Sequence, residues 1–350
     1  MSRLPVARTR LDYGQLLEDA WAAHLAPRAA DAPTVVSTFA GAGGSSLGYS
    51  MAGYRELLAV EWDDHAAACF GRNFPHVPLH HGDIADLDPA SLGLAPGELD
   101  VFDGSPPCQG FSVAGRRQVD DPRNQLFRQY VRLIDHWQPK AFVMENVAGM
   151  VKGPMRSLFA EILASLKEAG PGYRVTARLL DASYLGVPQK RLRMIFVGVR
   201  RDLGLDPVHP VPQVRPLTVR EAFAGLTDPG PYQLPSGKAA HVAPLIRPGE
   251  DGGDALHRLG GQNAYFSLQR LSWDRPSFTL IKEISSSRNG LLHPEENRLL
   301  GIKELARIQS FPDAYDWGDS PVEKVWSRIG NSVPPLMMRE IAGTLRERVL

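Results

Sequence analysis

The sequence predicts an α/β protein, a doubly wound, mostly parallel sheet with a small irregular domain attached. Three observations carry this. From residue 34 to about residue 200, short apolar runs alternate with amphipathic segments, the rhythm of strands joined by crossover helices. Near residue 202 the texture changes, and nine prolines between Pro207 and Pro248 leave no room for long helices. Helical spacing then returns at Ile302–Ser310 and Pro335–Arg348.

The elements follow in order. Residues 11–26 read as a helix. Strands are expected at Val35–Phe39, Leu57–Glu61, Val77–His80, Val101–Phe102, Ala141–Met144, Arg174–Leu180 and Met194–Val199, rich in β-branched and aromatic residues and ended by Gly, Asp or Pro. Between them lie helices at Ser45–Ala52, His65–Asn73, Gln125–Trp137 and Pro154–Ala169; Leu126, Tyr130, Leu133 and Trp137 recur at helical spacing. Residues 202–295 read as short strands and loops. The division is therefore 1–201, then 202–295, with 296–350 completing the first unit.

Composition narrows the class. With 43% hydrophobic and 22% charged residues, the 350-residue chain is globular and can bury a sizeable core. No apolar run approaches the roughly 18 to 20 residues of a membrane span. The first thirty residues carry Asp12, Glu18 and Asp19 and no continuous apolar stretch, which argues against a signal peptide. Two cysteines, Cys69 and Cys108, suit a reducing compartment; the expected location is the cytoplasm. Basic and acidic residues balance at 39 each. Residues 1–150 hold 12 basic and 18 acidic residues, a net of −6, so the remainder carries +6. The later part is the better partner for a polyanion.

Two segments carry chemistry. Val35-Val36-Ser37-Thr38-Phe39-Ala40-Gly41-Ala42-Gly43-Gly44 runs from a strand into a glycine-rich turn and a helix. Glycines admit a ligand close to the backbone, and the helix start offers free N–H groups. The dinucleotide fingerprint would place a third Gly or Ala where this chain has Ser46. Glu61, followed by Trp62, lies where an acid binds ribose hydroxyls, and Asp83 ends the third strand. This pattern alone fits NAD and S-adenosylmethionine equally. The second segment, Asp103-Gly104-Ser105-Pro106-Pro107-Cys108-Gln109-Gly110-Phe111-Ser112, follows the fourth strand. A cysteine there, on a proline-stiffened loop at a strand end, is placed as a nucleophile. Glu145, in Met144-Glu145-Asn146-Val147, ends the next strand and puts an acid beside it. Cys69, within a helix, reads as a small buried apolar residue.

Together these segments resemble the DNA (cytosine-5) methyltransferases, in order, from about Thr34 to Val333. Phe39 to Gly44 is similar to the family's cofactor loop, Pro106-Pro107-Cys108-Gln109 to its nucleophile motif, and Glu145-Asn146-Val147 to its acid motif. Gln189-Lys190-Arg191-Leu192-Arg193 matches its Gln-x-Arg-x-Arg motif. Arg298 through Pro312 matches the segment that scaffolds the recognition domain, and Ile329-Gly330-Asn331-Ser332-Val333 the last motif. Gly301, where the family often has Thr, and the short recognition region are departures.

The resemblance implies a Rossmann-like methyltransferase fold with a target-recognition domain at 202–295. It implies methyl transfer from S-adenosylmethionine, leaving S-adenosylhomocysteine, to carbon 5 of a cytosine flipped out of duplex DNA. Cys108 would be the covalent nucleophile and Glu145 would bind the exocyclic amine and ring nitrogen. Arg193 would hold the base carbonyl, with Arg191 shaping the site. Phe39, Gly41, Gly43, Gly44, Glu61, Trp62, Asp83, Pro106, Asn331 and Ser332 would form the cofactor site; no metal is expected, although His76, His80, His81 and Asp83 lie close in sequence. Gln109, Ser112, Arg116 and Arg117 would meet DNA, with Arg123 a further phosphate candidate. The loop Gly110–Asn124 would close over the flipped base. Arg247, Arg258, Arg270, Lys282 and Arg288 are the candidate readers of neighbouring bases. The chain is expected to act as a monomer, a restriction endonuclease being a possible partner that acts separately. Rival readings are a transfer-RNA cytosine methyltransferase, which typically carries a Cys-Phe-Thr element lacking after Cys108, and a nicotinamide dehydrogenase, which Ser46 disfavours.

Overall fold

The structure, a computed structural model, describes residues 12–107, 122–151, 155–213, 215–261 and 267–350, without the side chains of 122–125, 151, 155 and 158. One sheet holds β1 (Thr34–Thr38), β2 (Arg55–Glu61), β3 (Leu79–His81), β4 (Val101–Gly104), β5 (Ala141–Val147), β6 (Tyr173–Asp181) and β7 (Leu192–Arg200), in the order β3-β2-β1-β4-β5-β7-β6. β3 through β5 pair in parallel, while β7 runs antiparallel to both of its neighbours. The reversal has a simple cause. Residues 182–191 between β6 and β7 are too few for a crossover, which needs a dozen or more. β3 starts later than the expected Val77 because Pro78 has no N–H to give to the ladder.

Helices cover both faces: α1 (Tyr13–Leu25), α2 (Gly44–Met51), α3 (Asp64–Asn73), α4 (Pro122–Trp137) and α5 (Met155–Glu168). Strand residues alternate between two cores, as a pleat buried on both sides requires. Val36, Phe102, Phe142, Met144 and Phe196 pack with Tyr130, Leu133 and Trp137 of α4. Val35, Val101, Val143, Ile195 and Val197 share the other core with Leu17, Leu47, Met337 and Ile341. Sequence reading starts α4 at Gln125; the helix in fact begins at Pro122, whose missing N–H costs nothing at a first turn.

Residues 202–295 form short pieces, as their proline content dictates: α6 (Val219–Ala222), α7 (Gly237–Val242), α8 (Gly252–Arg258) and the parallel pair β8 (Leu268–Arg270) and β9 (Gly290–Leu292). The chain then returns through α9 (Ile302–Ile308), α10 (Val322–Asn331) and α11 (Pro335–Arg348). α10 is absent from the sequence reading, although Val325, Trp326 and Ile329 are buried at helical spacing. α11 lies directly on α2: a Cβ added to Gly48 would sit 2.5 Å from Met338 Cβ. No helix of the described residues is long and apolar enough to cross a membrane.

The sheet order reverses between β1 and β4. Ligands of such sheets bind beyond the carboxyl ends of the strands at this switch. Thr38 pairs with Gly104 there, so the glycine-rich loop and the Pro-Pro-Cys loop leave the sheet side by side.

Candidate active site

The loop after β1 is held in unusual backbone geometry. Phe39, with φ 56°, occupies the left-handed region without being glycine, a conformation that persists only when its surroundings enforce it. Gly43, with φ 87°, caps α2. A Cβ on Gly44 would lie 2.3 Å from Val333 O, so the last sequence motif packs against the start of α2. A Cβ on Gly41 would meet nothing within 4 Å; the loop opens to space at that point.

Glu61 is buried at the end of β2. Its Oε2 accepts from Gly41 N at 2.7 Å, and its Oε1 accepts from Trp62 N at 3.0 Å and Asp63 N at 2.9 Å. A carboxylate offers about four acceptor sites, so about one remains, on Oε2. Trp62 beside it is 77% exposed. Asp83 is exposed and caps the turn Ile84–Asp86 through Ala85 N at 2.9 Å. Asn331 is exposed at the end of α10, whereas the Ser332 hydroxyl is committed to Arg328 O at 2.7 Å. Arg328 also reaches Asp63 Oδ1 at 2.8 Å, which ties α10 to the end of β2.

On the other side of the switch, Pro106 is buried and its carbonyl accepts from Asn146 Nδ2 at 3.0 Å. Asn146 thus joins the proline loop to the end of β5. Glu145, one residue earlier, pairs with Arg193 Nε at 2.7 Å, both side chains being mostly buried. The pairing is diagonal across the β5–β7 ladder, in which Arg193 faces Val147. Arg193 Nη1 donates to Leu192 O at 2.8 Å. Cys108, Gln109, Ser112, Arg116 and Arg117 lie outside the described residues, as does the loop Gly110–Asn124 except for its last three residues. Those three, Pro122, Arg123 and Asn124, begin α4, so that end of the loop is helical.

Arg191 is fully buried and turns away from solvent. Its guanidinium donates to Leu280 O at 3.1 Å, Gly330 O at 3.0 Å and Ser332 O at 3.1 Å. Gln189 Nε2 donates to Gln309 Oε1 at 2.6 Å, and Gln309 Nε2 to Ser332 O at 2.5 Å. Three distant stretches of chain, near residues 190, 280 and 331, are thereby knotted behind Arg193. Arg191 belongs to the frame that positions the site; it lies just before β7, whereas Arg193 is the second residue of that strand.

The C-5 cytosine-specific DNA methylase family model matches residues 34–216 and 257–347. This chain belongs to that family. The Type II methyltransferase M1.HphI of Haemophilus parahaemolyticus is 34% identical, over 88% of this chain and 85% of its own. The Type II methyltransferase M.DdeI of Desulfomicrobium norvegicum is 32% identical, over 88% and 87%. A crystal structure described as a DNA modification methyltransferase encoded within a prophage (E. coli) superposes with a TM-score of 0.69 at 26% identity, covering 91% of this chain and 99% of that one. The chain is an enzyme, a DNA (cytosine-5-)-methyltransferase.

Within this C-5 cytosine methylase, the structure sorts the candidate DNA readers. Arg270 is buried, and its guanidinium donates to Ile246 O, Ala243 O, His293 O and Glu296 O, each at 2.7 or 2.8 Å. It braces the small domain and cannot read a base. Arg258 is likewise used, by Leu245 O and Glu250. Arg247, Lys282 and Arg288 remain exposed. The departure at Gly301 is also explained: a Cβ there would lie 2.1 Å from Pro229 O, so threonine does not fit, and Glu304 instead satisfies the Gly301 N–H at 2.8 Å. His81 pairs with Asp64 at 3.0 Å and His80 with Asp83 O at 3.2 Å; among the described residues no group of three possible metal ligands converges.

The sequence reading misses one polar group beneath α2. Asp103 is buried and accepts from Tyr49 Oη at 3.3 Å; burial, reinforced by Glu56, pushes its pKa up to about 8. Glu56 accepts from Ser46 Oγ at 2.8 Å and is raised by burial to about 7. For Asp103 the signal in the sequence is an acid inside the otherwise apolar Val-Phe-Asp-Gly; Glu56, beside Arg55, carries none.

Proposed function

We propose that this enzyme transfers a methyl group from S-adenosylmethionine to carbon 5 of a cytosine flipped out of a specific duplex DNA sequence, through a covalent adduct at Cys108. One observation carries the reading. The Glu145–Arg193 pair joins the end of β5 to the start of β7, and Asn146 fastens that edge to Pro106, two residues before Cys108.

Both the chemistry and the shape are consistent with this. The loop is open at Gly41, Glu61 keeps an acceptor, Trp62 offers an exposed ring face and Asn331 an exposed amide. These would hold, respectively, the backbone approach, a ribose hydroxyl, the adenine and the methionine end, with Phe39 and Asp83 bordering the adenine. When bound, S-adenosylmethionine supplies an electrophilic methyl group and leaves as S-adenosylhomocysteine. Cytosine carbon 5 is itself a poor nucleophile. Addition of the Cys108 thiolate at carbon 6 makes the ring an enamine, whose carbon 5 takes the methyl group. Loss of the carbon-5 proton then restores the double bond and expels the thiolate. Glu145 would bind the exocyclic amine and ring nitrogen as charge develops there, and Arg193 the ring carbonyl. In the free enzyme these two side chains hold each other, which keeps both aimed at one spot. Neither Cys108 nor the methyl donor can reach a base inside the stack, so the target must leave it.

We further infer that 1–201 with 296–350 forms the catalytic unit and 202–295 the recognition unit, working as a monomer in the cytoplasm. A restriction endonuclease, where one accompanies it, would act separately. The test is methyl transfer from labelled cofactor to duplex DNA, RNA and no substrate, with duplex containing 5-fluorocytosine as a trap. The wild type should label DNA and form a covalent adduct at Cys108, and Cys108→Ala should do neither while still binding cofactor. An adduct at Cys69, or labelling of RNA alone, would refute the assignment.

A further inference from the structure

A cleft of about 570 Å³ lies between the catalytic sheet and the small domain. One side carries Arg193 and Lys190, and the other Ser267, Gln269 and Leu291 from β8, β9 and the residue before them. Arg193 therefore opens into the same space that β8 faces. The β8 strand is short, and its burial alternates: Leu268 and Arg270 point inward, while Gln269 between them is half-exposed toward the cleft.

The polar groups of the cleft differ in what they have left to offer. The Thr279 hydroxyl donates to Lys190 O at 2.6 Å. Asp251 caps α8 through Asp254 N at 2.8 Å. Lys190 and Arg193 are cations, suited to phosphate and to the target base. Ser267 has a short side chain and a single hydroxyl. Gln269 alone presents a planar donor–acceptor pair, and its side chain makes no hydrogen bond among the described residues. Its strand is rigidly mounted: Leu268 and Arg270 are locked into the small domain, and Gly249 N and Arg270 O meet at 2.9 Å. A free amide on a fixed strand is what direct base readout needs. In the major groove, adenine presents a matching acceptor and donor, N7 and the N6 amine, to an Asn or Gln side chain.

We infer that Gln269 is a specificity-determining residue that reads an A·T pair beside the target cytosine. This rests on the proposed methylation of duplex DNA. Lys282 and Arg288, exposed on the segment just before β9, then serve the phosphates, where they add affinity without sequence information.

The experiment separates the two layers. Wild type, Gln269→Ala and Gln269→Glu are each given a duplex library randomised around a central cytosine, and methylated cytosines are read by bisulfite sequencing. A wild type that methylates no duplex DNA would overturn the proposed function. A wild type that methylates one sequence containing an A·T position supports the inference if Gln269→Ala loses preference at that position alone, by roughly ten- to a hundredfold. Glutamate keeps the shape but only accepts, so Gln269→Glu should move the preference at that position toward C·G, whose cytosine amine donates. This second variant guards against a collapsed strand, because collapse would weaken every position rather than switch one. An unchanged target in both variants, or uniform loss at all positions, overturns the role of Gln269.

Discussion

Removal of the Arg191 guanidinium tests whether the frame behind the site is as costly to break as its geometry implies. In Arg191→Met, three buried carbonyls, those of Leu280, Gly330 and Ser332, lose a donor. Ser332 O keeps a second donor in Gln309 Nε2, so two carbonyls are left unsatisfied; at about 1–3 kcal/mol each, the loss is about 2–6 kcal/mol. Against this, the wild type buries a charge without a direct carboxylate partner, and burial pushes the Arg191 pKa down to about 9. Methionine avoids that penalty, which is several kcal/mol. The net expectation is a destabilisation of about 1–3 kcal/mol, measured by urea unfolding. Arg191→Lys keeps the charge but can reach fewer of the three carbonyls, and should fall between. Because Ser332 and Val333 pack on Gly44, S-adenosylhomocysteine binding by calorimetry should weaken as well. An unfolding midpoint for Arg191→Met within the error of wild type, or full rescue by lysine, would refute this reasoning.

Three further outcomes follow from the same geometry. Glu61→Ala removes the acceptor of three backbone N–H groups and should weaken cofactor binding at least tenfold by calorimetry, while leaving DNA affinity without cofactor nearly unchanged. Gly44→Ala puts a methyl group against Val333 O and should raise KM for the methyl donor, with a cost of about 1–3 kcal/mol in stability; an unaltered KM would mean that the two motifs separate in solution. Asp103 has a folded pKa of about 8, above its unfolded value near 3.8, so the native state binds the extra proton between these values. Its favourable contribution is therefore present at low pH and lost as pH rises toward 8, by about 1.4 kcal/mol per pH unit. Asp103→Asn should flatten the fall in melting temperature between pH 6 and 8, and an identical slope would exclude Asp103 as its source.

Much of this protein is legible without coordinates because its information is local. Strand and helix periods depend on neighbours in sequence, and they correctly yield the doubly wound sheet. The glycine turn, Glu61 and the Glu145 strand end follow from that sheet, since a strand's last residues must emerge at its carboxyl edge. Even the irregularity of 202–295 is written in its prolines.

What only the tertiary structure decided concerns side chains whose partners lie far along the chain. Arg191, Arg193 and Arg270 look alike in sequence, yet one clasps carbonyls near residues 280 and 331, one faces Glu145, and one braces the small domain. Gly301 is a puzzling departure until Pro229 is seen against it. Burial of Asp103 and Glu56 depends on α2 closing over them, which no spacing announces. The physical reason is the same in each case. Local sequence sets backbone period and direction, whereas a polar side chain's role is set by which donors and acceptors the completed fold brings within about 3 Å of it.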